Sequence, residues 1–349
     1  MNNTHVPTRS KTRFFSRKTL IRSLQIFVSI AIVYLGIAAG LIYWPRSAPF
    51  PAMDQAATVT EPIREKLSTT DLQFTARDGS VLVAKRYGPD TDRVILLLHG
   101  VASNQAQMAI PAAMLSDASG LEVITLDLRG HGLSDGRRND VEYIGQYADD
   151  VEDVLRTLVA ETEGRTVILA GHSMGGGIAM RYALKKDAPK PSAYLLFAPN
   201  FGEGPTEGKR EREEEAEGAP SFVHFDLPRM IGQIMMNVAG IHAFDDQPIL
   251  YFNFPPQVQA YSYRAVMSGQ PVRPDTSDKA LRAIDVPLFV VIGEDDEVFN
   301  AAAFEGFVSA NSDGETQTIA GENHVSIIFS KPGYDAVRNW IAIQNLGAN

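Results

Sequence analysis

The sequence contains no cysteine. That absence removes disulfides, thiolate metal sites, a cysteine nucleophile and lipid attachment through sulfur together. It leaves the compartment open, because a chain without cysteine folds on either side of a membrane. Acidic residues are missing from the first 53 positions, which hold seven of the 32 Lys+Arg and none of the 42 Asp+Glu. The rest of the chain carries the other 25 basic residues against all 42 acids, a net charge of −17. A body that acidic repels polyphosphates, so nucleic acid is excluded as its partner. Also missing are an H-E-x-x-H zinc pair and a G-x-x-x-x-G-K-[ST] phosphate loop, so no metal and no nucleotide cofactor is implied. Hydrophobic residues at 44% and charged residues at 21% leave a composition that folds.

Long apolar runs are rare as well, and the one present stands near the N-terminus. From Ile26 to Trp44 no residue is charged. As a helix this run spans about 28 Å, against about 30 Å for a bilayer's hydrocarbon core. Arg9, Lys11, Arg13, Arg17, Lys18 and Arg22 precede it, Tyr43 and Trp44 close it at the level of interfacial aromatics, and Pro45 stops it. The expectation is a cytoplasmic tail over 1–25, a membrane anchor over 26–44 and a tether over 45–70, with the body on the non-cytoplasmic side. The competing reading is a secretory signal cleaved near Ala38, Ala39 and Gly40. Against it, the apolar run exceeds the roughly 7–15 residues of a signal's core.

From residue 71 the pattern is that of a folded domain. Leu72–Thr75 and Val81–Tyr87 alternate around Asp78 and Gly79, which predicts an edge hairpin. Short uninterrupted apolar runs follow at Val94–Leu98, Val123–Leu126, Val167–Ala170, Tyr194–Phe197 and Leu288–Ile292, with a weaker Thr316–Ile319. Such runs are strands buried on both faces. Tyr143, Tyr147, Val151, Val154 and Leu158 predict an amphipathic helix capped by Asp140. Strands alternating with helices give an α/β class: a mostly parallel sheet flanked by helices. The interval 200–285 is too long for a connection and reads as a cap insertion. It holds a charge run, Lys209–Glu217, read as solvated, and a Met-rich stretch, Met230–Val238, whose helical spacing fits core packing or the lining of an apolar pocket.

Gly171-His172-Ser173-Met174-Gly175 lies between a strand and a helical segment, the context a nucleophile elbow requires. A serine hydroxyl needs a base to take its proton and an acid to orient that base. In the Ser, acid, His order, the base is His324 in Gly321-Glu322-Asn323-His324, and the acid comes from the cluster after Gly293. Residue chemistry leaves Asp295 and Asp296 both open. Backbone donors for the oxyanion are expected at Met174, which follows the nucleophile, and at Val101 in the loop after Val94–Leu98.

These strings, together with His99-Gly100 and Asp127-Leu128-Arg129-Gly130-His131-Gly132, resemble the successive motifs of the monoacylglycerol lipase, lysophospholipase and serine aminopeptidase branch of the α/β-hydrolases. The resemblance covers about residues 70–345. It implies an α/β-hydrolase fold with Ser173, Asp296 and His324 as triad, and structural roles for His131 and His172. The reading is then a membrane-anchored serine hydrolase acting on a small-molecule acyl ester or lipid such as a monoglyceride or lysophospholipid. A serine aminopeptidase acting on short peptides, and a non-catalytic membrane-tethered binding protein on a hydrolase scaffold, are the alternatives.

Overall fold

Helix α1 (Arg17–Ile42) begins ahead of the apolar run, because Arg17, Lys18 and Arg22 are good helix formers and carry the turns back toward the N-terminus. It ends just before Tyr43, Trp44 and Pro45. The computed structural model describes residues 17–45, 69–161, 165–206, 223–254, 257–271 and 276–347. The start of the basic tail, nearly all of the tether and the charge run Lys209–Glu217 lie outside the described residues.

After α1 the chain runs β1 (Thr69–Thr75), β2 (Val81–Tyr87), β3 (Arg93–Leu98), α2 (Ala109–Ser119), β4 (Glu122–Leu126), α3 (Gln146–Glu161), β5 (Thr166–His172), α4 (Met174–Ala183) and β6 (Ala193–Phe197). Then come β7 (Val223–Phe225), α5 (Leu227–Val238), β8 (Pro248–Phe254), β9 (Gln257–Ser262), α6 (Tyr263–Ser268) and α7 (Ser277–Ala283). It closes with β10 (Leu288–Gly293), α8 (Phe304–Asn311), β11 (Glu315–Ile319) and α9 (Lys331–Ile343). Two compact units result, one built on α1 and α5 and the other on the remaining elements.

In the larger unit an eight-stranded sheet has the order β1-β2-β4-β3-β5-β6-β10-β11. The β1–β2 hairpin joins one edge antiparallel, and the strands from β4 to β11 run parallel. The inner strands are buried along almost their whole length, as their continuous Val, Ile and Leu runs require. Edge strand β11 has only Ile319 fully inside, which is why its apolar signal is weak.

Two local expectations differ from the structure. Asp140 does not cap α3; its carboxylate accepts from Arg264 (Nε and Nη2, both 2.8 Å) and from Ser262 Oγ at 2.5 Å, and the helix starts at Gln146. A charged partner outcompetes a helix end for the same oxygens. Within the insertion, a three-stranded sheet β7-β8-β9 appears that the sequence reading does not place there. Arg181 of α4 holds the segment after it, donating to Gln270 O and Met267 O at 3.0 Å each.

In the smaller unit α5 lies against the last turns of α1. Met236 is buried with Ala38 and Ile42, and Leu35, Ala39, Met235, Ile241 and Phe244 surround them. Gly232 permits the approach, since a Cβ there would stand 2.6 Å from Ala38 O and 2.8 Å from Ile42 Cγ1. Tyr34 Oη donates to Met235 O at 3.0 Å. Met235 and Met236 of the Met-rich stretch therefore pack: unbranched methionines fill the irregular space left beside the alanines of α1.

The sheet predicts its own mutational gradient. Leu96, fully buried in β3 between two parallel neighbours, should cost about 3 kcal/mol as Leu96→Ala. Leu72 on edge strand β1 is only half-buried, and Leu72→Ala should cost less than about 1.5 kcal/mol. Urea unfolding of the two variants checks the order.

Candidate active site

Strand β5 ends at His172 and α4 begins at Met174, so Ser173 alone makes the turn. Its φ of 51° and ψ of −115° are strained for a residue with a side chain. The neighbours hold it: Ser173 N–H donates to Phe197 O of β6 at 3.0 Å, and Ser173 O accepts from Asn200 N–H at 3.0 Å and Gly177 N–H at 3.1 Å. His324 comes from the loop after β11, and its Nε2 is 3.0 Å from Ser173 Oγ. Its Nδ1 is 2.9 Å from Asp296 Oδ2. A carboxylate only accepts, so Nδ1 carries the proton and Nε2 is left to accept from the serine hydroxyl. Asp296 is fully buried, and its other oxygen accepts from Val298 N–H (2.9 Å) and Phe299 N–H (2.7 Å). Asp295 is exposed. Glu297 accepts from His324 N–H at 3.0 Å, and the Phe299 ring meets the imidazole edge-on at 4.9 Å.

The loop after β3 lies against the same serine. A Cβ on Gly100 would come within 3.3 Å of Ser173 Cβ. Among the described residues, Val101 N–H and Met174 N–H have no hydrogen-bond partner, as oxyanion donors require. Ala102, next along, has a positive φ of 57°, and its N–H donates to Tyr261 Oη at 2.6 Å. The Tyr261 hydroxyl then donates to His131 Nε2 at 3.0 Å, and His131 Nδ1–H to Arg129 O at 2.9 Å. Every member of this buried relay is satisfied. Tyr261 was not among the expected site residues, because no motif marks it.

Comparison with known proteins fits this geometry. Residues 89–327 match the serine aminopeptidase, S33 family. The chain belongs to that α/β-hydrolase family. An AB hydrolase superfamily protein of Bacillus subtilis, YisY, is 29% identical over 59% of this chain and 75% of its own length. A monoacylglycerol lipase of Mycolicibacterium smegmatis is 32% identical, but over only 36% of this chain and 45% of the lipase. A solved structure of a membrane phospholipase A, described as a bacterial virulence factor, superposes with a TM-score of 0.51 at 16% identity, covering 92% of each chain. The S33 protein is a hydrolase, and ester hydrolysis is its reaction class.

Three further histidines of this S33 hydrolase surround the site without facing Ser173 Oγ. His99 Nε2 accepts from Leu128 N–H at 3.1 Å, and His172 Nε2–H donates to His324 O at 2.8 Å, bracing that loop. Burial pushes His99 down to about 4, and His131 and His172 to about 3. All three stay neutral in the fold but take up protons when unfolded below pH 6.5. Their contribution is therefore fully present above that pH, and as pH falls toward 4 each loses about 1.4 kcal/mol per pH unit. His131→Gln should flatten the acid side of the stability profile by about that slope. Urea unfolding at a series of pH values measures it, and an unchanged slope would contradict the assignment.

Proposed function

We propose that the chain hydrolyses a lipid-type acyl ester, a monoacylglycerol or lysophospholipid, through an acyl-enzyme on Ser173. The observation that carries this is the unbroken hydroxyl, imidazole and carboxylate chain from Ser173 through His324 to Asp296. As Oγ attacks the ester carbonyl, His324 Nε2 takes its proton, and Asp296 stabilises the imidazolium while holding the tautomer. Negative charge collects on the carbonyl oxygen, where the N–H groups of Val101 and Met174 receive it, each such donor being worth roughly 10²–10³ in rate. The tetrahedral species collapses when His324 returns the proton to the departing alkoxide, which leaves as the alcohol. Water, activated by the same imidazole, then releases the fatty acid and regenerates the serine.

Two observations support a lipid rather than a water-soluble ester. Helix α1, 26 residues long, is long and apolar enough to cross a membrane. The partial relative from Mycolicibacterium smegmatis bears the name of a monoacylglycerol lipase. With Arg17, Lys18 and Arg22 at its start, α1 is read as an anchor whose N-terminus stays cytoplasmic and whose catalytic body lies on the opposite side. Active fusions after Asn349 to a reporter that works only outside the cytoplasm are expected; activity restricted to a cytoplasmic reporter would reverse the orientation.

Fluorophosphonate labelling that disappears in Ser173→Ala separates an enzyme from a non-catalytic scaffold. A panel of acyl esters and aminoacyl amides then separates a lipase from the aminopeptidase that names the family, with turnover expected on the esters. For the acid, Asp296→Asn should lower kcat about 10⁴-fold with little change in Tm. Asp295→Asn, altering an exposed residue, should change kcat by less than about tenfold, the size of a missing indirect electrostatic contact. The reverse order would move the acid to Asp295.

A further inference from the structure

Helix α5 has a buried side and, opposite it, an apolar one. At 100° per residue, Gly232, Gln233 and Met236 form its buried side, the one that meets α1. Leu227, Ile231, Ile234 and Val238, spaced four, three and four apart, form a single stripe on the other side. Three of the four are open, Leu227 at 51% exposed, Ile231 at 41% and Val238 at 70%, while Ile234 between them is half-buried. A helix on a protein surface in water turns polar residues outward, so this arrangement needs an apolar neighbour.

The position of α5 identifies the neighbour. Its contacts on α1 fall at Leu35, Ala38, Ala39 and Ile42, the last turns before Tyr43 and Trp44. Both aromatics are exposed, at 66% and 63%, where a spanning helix carries its interfacial belt. The same helix leaves Leu24, Phe27, Ile30 and Val33 exposed along its length, as lipid-facing side chains are. Leu35 to Ile42 covers roughly the final 10 Å of a span, and interfacial helices sit about 5–10 Å into the headgroup and acyl boundary. Two polar groups at the joint find partners within it: Tyr34 Oη donates to Met235 O, and Gln233 Nε2 donates to Phe244 O at 2.7 Å.

We infer that α5 is an interfacial membrane helix, docked on the distal end of α1 and laying Leu227, Ile231, Ile234 and Val238 into the leaflet on that side. This rests on the reading of α1 as an anchor, and the experiment keeps the two apart. Because the chain has no cysteine, single positions can be labelled directly in the full-length protein. Ile231→Cys and Val238→Cys report on the stripe, Val33→Cys on the middle of α1, and Asp117→Cys on the water-exposed body. Each is coupled to a polarity-sensitive fluorophore and reconstituted in phosphatidylcholine and phosphatidylglycerol vesicles carrying nitroxide lipids, after a melting curve confirms its fold.

The stripe labels should emit at shorter wavelength than the Asp117 label and lose more than about half their intensity to a nitroxide near the headgroup, with less lost to one near the bilayer centre. The Val33 label should show the opposite depth preference. Stripe labels that behave like the Asp117 label while the Val33 label is quenched would overturn the inference and leave the anchor standing. A Val33 label untouched by either nitroxide would remove the anchor, and the inference with it. Blue-shifted stripe labels that escape lipid quenching but transfer energy between molecules would show a second copy of the chain on the stripe, and would also overturn it.

Discussion

Ser173 holds a backbone conformation that costs a residue with a side chain of order 1–3 kcal/mol. The strain persists because the surrounding structure fixes both sides of it. Strand β5 is clamped between β3 and β6, the serine's own N–H and C=O are bonded into β6 and the segments after it, and α4 starts at once. Because β3, β5, β10 and β11 run parallel, their C-terminal ends emerge along one edge of the sheet, as at a ligand crevice of an open α/β fold. The loops bearing Gly100, Asp296 and His324 leave from that edge, so the turn at Ser173 and the groups it needs are consequences of one strand order.

How far the sequence reveals this depends on the range of the interactions. The inner strands were legible because burial on both faces writes a continuous apolar run. That Ser173, His324 and a residue of the acidic cluster would come together was legible because a serine elbow, a histidine and acids each follow a strand-like run. Asp296 over Asp295 needed the resemblance, and the structure separates the two by burial. The start of α3 was misread because Asp140's partner, Arg264, lies 124 positions away. Strands β7 to β9 were passed over although Ile249, Leu250, Tyr251 and Phe252 form a strand-like run. Tyr261 was invisible for the same reason as Arg264: its bond to Ala102 crosses 159 positions and leaves no local pattern.

The two units bury their apolar residues in different proportion. In the larger one the Leu, Ile and Val of the inner strands are inside. In the unit of α1 and α5 the buried large apolar side chains among the described residues are Ile42 and Met236, packed with Ala38, while many others face outward. So few buried apolar side chains contribute little against the entropy of fixing two helices in water. A pair of helices built this way is matched to a solvent that is itself apolar.

The hydroxyl of Tyr261 belongs to the segment between β6 and β10, yet it grips the backbone of the loop after β3. The insertion is thus wired into the loop whose Gly100 approaches Ser173. An exchange of this segment for another of different length or polarity succeeds in this scaffold only if the newcomer delivers a hydrogen-bond acceptor to Ala102 N–H. The insertion is in that sense tethered: one phenol, on its edge strand β9, holds the loop that approaches the serine.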